Sequence, residues 1–205
     1  MARPRNFDEA QVLEHAVQVF RERGYEGTSV PELTDRLGIC RQSLYNTFGD
    51  KRGLFLQALE CYGQREIDSK LAFLASDGSP LEHLRTLIRG MAAKAVECAD
   101  GGCLSVTAMV ESRDDPEVLA LAERQVAALE GGFVDALRRA QELGEIRPDV
   151  RPERLGRALT TSFYGLDLLH RLPGSGPRIG DTVAVLLDLL DTAAACPLEM
   201  TIKPS

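Results

Sequence analysis

The sequence predicts an all-α protein with nine helices in two domains, a head at residues 1–52 and a body at residues 53–205. Apolar residues recur at every third or fourth position along most of the 205 residues, which is the spacing of amphipathic helices. Glycine and proline clusters interrupt these runs at helix-length intervals, and no segment alternates convincingly like a half-buried strand. Within residues 28–52, two short periodic segments flank a glycine, a pattern typical of a helix-turn-helix.

The first helix follows a short basic arm at residues 1–6. Asn6 is predicted to cap it, with Glu9 as the capping-box partner, and Gly24 is predicted to end it. Its inward stripe consists of Leu13, Ala16, Val17 and Phe20.

The second helix is predicted to begin after Ser29, with Glu32 as its capping-box partner and Pro31 in the first turn. Gly38 suits the left-handed residue that ends a helix, and a third helix then runs to about Phe48. The expected core of the head is Phe20, Leu33, Leu37, Leu44 and Phe48.

The third helix has one apolar and one polar side. At 100° per residue, Leu44 and Phe48 point inward, while Gln42, Tyr45 and Asn46 point outward. Arg41 and Ser43 lie at the edges of the polar side, which is therefore rich in groups that bond base edges or phosphates. A solvated face of a helical hairpin is the alternative interpretation of the same pattern.

The charge is distributed unevenly along the chain. The net charge is −7, but residues 1–52 contain eight basic and eight acidic side chains, so the acidic excess belongs to the body. Local charge governs phosphate binding, so overall acidity permits specific DNA binding and argues against loose coating of polyanions.

Other classes of protein find little support in the sequence. No apolar run approaches the ~18 residues of a membrane span, and the N-terminus lacks a signal-peptide core, so a cytoplasmic protein without a membrane partner is expected. The five cysteines form no CxxC and the three histidines are scattered, so no metal site is expected. No phosphate loop, nucleophile elbow or HExxH motif occurs, so neither an enzyme nor a cofactor is expected.

Six further helices are expected in the body. Asp50 is a plausible cap for the long fourth helix, and Asp115 with Pro116 is a plausible start for the seventh. The predicted ranges are about 50–74, 81–95, 103–112, 116–143, 153–172 and 178–195.

The last two helices are apolar on more than half of their circumference. Such a helix needs cover on two sides, which either burial within one chain or a two-fold dimer provides. We favour a four-helix bundle formed with the same helices of a second copy. The predicted interface residues are Leu159, Phe163, Leu166, Val183, Leu186, Leu187 and Leu190.

The N-terminal quarter resembles the DNA-binding domain of the TetR family of transcriptional regulators. The matching residues are Ala16, Phe20, Gly24, Tyr25, Thr28, Ser29, Val30, Leu37, Gly38, Ile39, Leu44, Tyr45, Phe48, Lys51, Leu54 and Phe55. Cys40 departs from the resemblance, because such proteins usually carry a serine that caps the recognition helix, and a thiol accepts hydrogen bonds weakly. The pair Asn46-Thr47 also departs from it, so no operator sequence is carried over.

The resemblance implies a homodimeric repressor that binds an inverted-repeat operator in double-stranded DNA. The implied DNA contacts are Arg5, Thr28, Ser29, Arg41, Gln42, Ser43, Tyr45, Asn46 and Lys51. It also implies a ligand-binding and dimerisation body, in which a small apolar or aromatic effector binds and releases the DNA. Residues expected to line that site are Tyr62, Met91, Cys103, Val106, Met109, Val110, Phe133, Phe163 and Tyr164.

Two alternatives remain at this stage. The stretch Gly102-Cys103-Leu104 with Glu111 resembles a branch of the family that includes cysteine-based sensors of electrophiles, with Cys98 as a possible resolving thiol. In that reading, the N–H groups at the start of the sixth helix lower the pKa of Cys103. The other alternative is a helical protein-interaction module that does not bind DNA.

Overall fold

The computed structural model describes residues 7–97, 102–170 and 172–195. Within these ranges the chain forms nine helices and no strand, which confirms the all-α prediction. The helices are α1 Glu9–Arg23, α2 Val30–Leu37, α3 Arg41–Phe48, α4 Lys51–Ala75, α5 Pro80–Glu97, α6 Leu104–Glu111, α7 Pro116–Glu142, α8 Pro152–Leu169 and α9 Gly176–Ala193.

Most helix boundaries follow local capping chemistry. The Ser29 hydroxyl accepts from the N–H of Glu32 at 3.3 Å, and Gly38 ends α2 in the left-handed conformation at φ 64°. Asp50 caps α4, as expected. The predicted cap of α1 is wrong, because the carboxylate of Asp8 accepts from the N–H of Ala10 at 2.9 Å and starts the helix. Asn6 lies outside the described residues.

The head packs around the five core residues predicted for it, all of which are buried. The start of α4 completes this core, since the rings of Phe20 and Phe55 meet edge to face at 5.1 Å between centroids. Leu104 and Ala108 of α6 belong to the same cluster. The head is therefore packed against α6 as well as joined covalently to α4.

The division predicted at residue 52 falls at the beginning of α4, which runs on unbroken to Ala75. This helix contributes Leu54 to the head core and Ile67 and Leu74 to a second apolar core in the body. Its 25 residues span about 37 Å, so one continuous helix connects the two cores.

The direction of α7, α8 and α9 defines a proximal and a distal end of the body. Helix α7 begins beside the head, where Arg52 contacts Asp115, and its 27 residues extend about 40 Å away from it. Helix α8 returns, so that His170 at its end shares a cavity with Arg21 of α1. Helix α9 runs outward again, and at the distal end the N–H of Arg147 donates to the carbonyl of Ala193 at 2.9 Å.

The structure corrects part of the prediction for the dimer interface. Five of them are buried inside one protomer, and Phe163 and Leu187 are half-buried against the same core. The outward side of these helices carries other apolar residues. The sequence could not tell the inward side from the outward side, because both sides are apolar. The buried five are Leu159, Leu166, Val183, Leu186 and Leu190, and the exposed residues are Leu168 on α8 and Val185 and Leu189 on α9.

A search of the described helices for a stretch long and apolar enough to span a membrane finds none.

Candidate nucleic-acid interface and effector cavity

Helix α3 presents a polar face on a rigid base. Leu44 and Phe48 are buried in the head core and hold the helix in place. Arg41, Gln42 and Asn46 are exposed on the opposite side, together with Tyr45, whose exposed fraction is 39%. Ser43 is half-buried at the edge of this face. The arrangement leaves four polar side chains exposed along one side of α3.

Arg41 and Tyr45 lie one turn apart and support each other. The guanidinium lies 5.5 Å from the ring centroid, and Nη2 donates to the phenol oxygen at 3.4 Å. A cation over an aromatic face at a helical i, i+4 spacing restricts both side chains. This contact orders the face before any nucleic acid binds.

The start of α3 lacks a side-chain cap, as expected for a cysteine at this position. Cys40 occupies the N-cap and forms no capping hydrogen bond to the helix. Its Sγ instead lies 3.2 Å from the hydroxyl of Ser43. The hydrogen bond with that hydroxyl, together with backbone N–H groups at the helix start, lowers the pKa of the Cys40 thiol.

The residues flanking α3 differ in their availability. Ser29 is exposed at the start of α2, and the Lys51 ammonium lies 4.2 Å from the centroid of the Tyr25 ring. Thr28 is not exposed as the prediction of a DNA contact required. It is 2% exposed, and its hydroxyl donates to the carbonyl of Gly24 at 2.6 Å. The hydroxyl that was expected to bind a phosphate is thus engaged within the turn after α1. Arg5 lies outside the described residues.

Arg52 has a role that the sequence reading missed. Its guanidinium donates two hydrogen bonds of 2.9 Å to Asp115 and one of 2.8 Å to Glu117. These contacts link the start of α4 to the start of α7, so Arg52 faces the body. Its pKa is raised by the hydrogen bonds with Asp115 and Glu117. A partner 63 residues away leaves no local signal in the sequence.

A cavity of about 60 Å³ lies between α4, α5, α7 and α8, with the loop before α6 at its edge. Five of the residues predicted to bind an effector line it: Tyr62, Met91, Cys103, Phe163 and Tyr164. The other four do not. Phe133 is buried in the body core and Val106 is buried on α6, while Met109 is half-buried and Val110 is 59% exposed.

The cavity is more polar than the sequence predicts. Arg21, Glu66, Lys70, Asp167 and His170 line it together with the apolar groups. The Lys70 ammonium pairs with the Glu66 carboxylate at 2.9 Å and lies 5.5 Å from the centroid of the Phe163 ring. Periodic apolar stripes identify the helix sides that pack, and they miss long charged side chains that reach in from the edges.

Cys103 caps α6 by position, but its environment is not that of an activated thiol. Burial raises the pKa of this thiol, and the carboxylate of Asp167 raises it further. The expectation that the helix start lowers it is therefore wrong, because burial outweighs the N–H groups. Burial also raises the pKa of the phenol of Tyr62, which lines the same cavity. Cys98 lies outside the described residues.

A hydrogen bond to the head forms at each end of α6, and the first of the two lies at this cavity. At one end, Nε of Arg21 donates to the carbonyl of Gly102 at 2.9 Å, and the guanidinium lies 5.9 Å from the centroid of the Tyr62 ring. At the other end, the N–H of Tyr25 donates to the carboxylate of Glu111 at 2.7 Å. Arg21 thus belongs to α1 of the head and lines the cavity of the body.

A buried amide ties α7 to α4 and α6 in the cavity wall. Gln125 is 7% exposed, accepts from the hydroxyl of Ser105 at 2.6 Å and donates to the carbonyl of Leu59 at 3.2 Å. The amide lies where a side chain at Gly63 would be, since a Cβ there would be 1.8 Å from Nε2. Neither residue stood out in the sequence, because a single Gln and a single Gly carry no pattern.

Among the described residues, no group of three or more His, Cys, Asp or Glu side chains is arranged to hold a metal ion.

Two family models match the chain. One, described as bacterial regulatory proteins of the tetR family, matches residues 12–58. The other, described as a tetracyclin repressor-like C-terminal domain, matches residues 80–185 and so covers about half of the chain.

Similar proteins are helix-turn-helix regulators. The uncharacterized transcriptional regulator YezE of Bacillus subtilis is 37% identical over 93% of this chain and 100% of its own length. The transcriptional repressor AcnR of Corynebacterium efficiens is 29% identical over 91% of this chain and 92% of its own. A cysteine mutant of the TetR family regulator CifR, solved with 26-bp double-strand operator DNA, is 30% identical with a TM-score of 0.77, covering 91% of this chain and 98% of that chain.

Proposed function

The chain belongs to the TetR family of helix-turn-helix transcriptional regulators, and we propose that it is a repressor that binds an inverted-repeat operator as a homodimer and leaves it when an effector fills the cavity. In this proposal the protein acts in the cytoplasm, by binding rather than by catalysis. Residues 1–52 serve as the reading head, and residues 53–205 serve as the ligand-binding and dimerisation body.

One observation supports the assignment of DNA binding to particular residues. The polar side of α3, formed by Arg41, Gln42, Tyr45 and Asn46, is exposed, while its apolar side is locked into the head core. Arg and the amides Gln and Asn form bidentate hydrogen bonds with guanine and adenine edges in the major groove. We assign base reading to these four residues, and phosphate contacts to Ser29, Ser43, Lys51 and the arm that contains Arg5.

A selection from random-sequence duplexes at moderate salt tests the assignment. We expect the purified protein to enrich two half-sites in inverted orientation, with centres one helical turn or a multiple apart. A pool that shows no enrichment would contradict the proposal.

Variants then separate base reading from phosphate binding. Q42A and N46A should each weaken binding to the selected operator by about 1–3 kcal/mol and broaden base preference at one position. Replacement of Lys51 by Met should weaken all duplexes alike and reduce the salt slope by about one. Q57A is the matched control, because Gln57 is exposed on α4, outside the proposed reading face.

Release by an effector is proposed to pass through α6. A ligand in the cavity meets Arg21 directly and meets the Gly102–Ser105 segment that starts α6. Because the two ends of α6 are hydrogen-bonded to the head, through Arg21 of α1 and through Tyr25 in the turn after it, a shift of this segment moves the head. The charged lining favours an effector that combines an apolar or aromatic body with a polar group.

The coupling is tested with R21M, which keeps the length of the side chain and removes its guanidinium. A thermal-shift screen of small aromatic and aliphatic acids, amines and alcohols first identifies a compound that stabilises the wild type and lowers its operator affinity. We expect R21M to bind operator without the compound, and to lose most of its response at concentrations that still raise its melting temperature. An unchanged response in R21M would exclude this route.

A further inference from the structure

An open groove of about 490 Å³ lies at the distal ends of α8 and α9, with an apolar floor and a cationic rim. The floor is formed by Val150, Leu155, Ala158, Leu189 and Ala193, and the rim carries Arg147 with Asp149, Arg151, Arg154 and Thr192. Ala158 and Leu189 also belong to the exposed side of α8 and α9, so the groove is continuous with the face available for dimerisation.

Two of the rim arginines have no partner of their own. Nearby arginines are paired, Arg147 with Asp149 and Arg157 with Glu130, each at 3.1 Å. Arg151 and Arg154 are exposed, and in the described ranges no ion pair or side-chain hydrogen bond satisfies either guanidinium. Within the described part of the protomer these two neighbouring cations are therefore available to an anion from another molecule.

Asp188 offers a complementary charge on the same face. It is exposed on α9 between Val185 and Leu189, both of which are exposed apolar residues. Its carboxylate likewise has no ion-pair or hydrogen-bond partner among the residues that the structure describes.

The symmetry of a DNA-bound dimer determines which ends can meet. Two heads that read one duplex lie at the same end of the dimer, so the two-fold axis runs along the head-to-body direction. Elements at the same height then face each other across the axis. The distal end of α8 therefore meets the distal part of α8 and α9 of the second copy, which is the part that carries Asp188.

We propose that the groove receives α9 of a second copy of this chain, with Asp188 of that copy between Arg151 and Arg154. The contact occurs twice in a two-fold dimer, and its charges select an identical partner and set the register of the apolar faces. The proposal rests on the dimer proposed above and adds the residues that determine partner choice.

Charge reversal gives a test with its own rescue. In R151E/R154E the groove repels Asp188 of an identical copy, and in D188K the lysine repels the two arginines of an identical copy. We expect each variant alone to raise the dimer dissociation constant about 10-fold or more in sedimentation equilibrium, since like charges in an interface suppress pairing. Mixed together, the two variants restore opposite charges at both contacts. We expect native mass spectrometry of the mixture to show mainly the heterodimer.

A matched control is R157E, because Arg157 lies on α8 but pairs with Glu130 of α7. We expect its dimerisation to equal that of the wild type. The groove assignment is overturned if the wild type is dimeric and both variants dimerise as it does, or if the mixture forms only the statistical share of heterodimer. A monomeric wild type would instead remove the dimer itself, so the two failures are distinguishable.

Discussion

The guanidinium of Arg52 donates two hydrogen bonds of 2.9 Å to the carboxylate of Asp115, and so joins the first turn of α4 to the N-cap of α7. The same carboxylate accepts from the N–H groups of Glu117 and Val118 at 3.0 and 3.3 Å. One acidic side chain therefore both starts a body helix and holds the head against it.

This contact predicts a pH dependence of stability. The hydrogen bond with Arg52 lowers the pKa of Asp115, so its stabilisation is present above the unfolded value of about 3.9 and is lost as pH falls through the folded value. The variant D115N removes the charge and keeps a capping oxygen. We expect the melting temperature of D115N to be below that of the wild type at pH 7, and the gap to close below about pH 4.

The control for this experiment is D114N, since Asp114 is exposed and forms only a 3.5 Å contact with Arg113. It should follow the wild type at both pH values. If the difference in melting temperature between D115N and the wild type persists unchanged in acid, the cap, and not the ion pair with Arg52, is responsible for it.

The missing cap of α3 predicts that C40S tightens the recognition helix. A hydroxyl accepts from the N–H groups of the first turn where the thiol does not, so we expect the melting temperature to rise by about 2 °C and operator affinity to rise slightly. The measurements are differential scanning calorimetry and a binding titration. C61S is the control, because Cys61 is exposed inside α4 and has no capping position to fill. Equal effects of both substitutions would rule out capping as the cause.

Gly63 and Gln125 are predicted to be coupled energetically. An alanine in a helix is normally about 1 kcal/mol better than glycine, but a Cβ at position 63 would displace the Gln125 amide. We expect G63A to destabilise the fold by about 1–3 kcal/mol in urea unfolding. In the double variant G63A/Q125A the clash is absent, so its loss should be clearly smaller than the sum of the two single losses.

G90A serves as the matched control for this cycle. Gly90 lies in α5, and nothing lies within 4 Å of the Cβ position that the substitution would fill. G90A should be neutral or stabilising. Additive effects of G63A and Q125A would indicate that the amide moves aside without cost.

The exposed face of α8 and α9 predicts a monomer-forming substitution. Val185 is 58% exposed at the centre of the exposed side of α9, so V185E should place a charge in the dimer interface and shift the protein to monomers in sedimentation. Operator affinity should fall by about 100-fold or more, because two linked heads bind with avidity and a single head does not. L143E is the control, since Leu143 is 64% exposed at the end of α7 and outside this face. If V185E still forms dimers, the interface does not include this part of α9.

Much of the fold could be predicted from the sequence because helix caps and helical spacing depend on neighbouring residues. The cap at Ser29, the left-handed Gly38 and the spacing of Leu44 and Phe48 each depend on a few neighbouring residues, and each is found as predicted. The inward and outward sides of α3 follow from the same helical spacing. The start of α1 was misassigned because Asn6 and Asp8 are both residue types that cap helices well, and Asp8 is the one that starts the helix.

The sequence by itself determined the helices, the helix-turn-helix and the polar side of α3, because capping and amphipathic periodicity act over one or two turns. Only the tertiary structure decided which side of α8 and α9 is free, that Thr28 is buried, that Arg52 faces the body and that Arg21 reaches the cavity. The contacts of Arg21 and Arg52 depend on partners distant in the chain, with a separation of 81 residues between Arg21 and Gly102. A contact of that kind is set by how helices pack, and no local pattern records it.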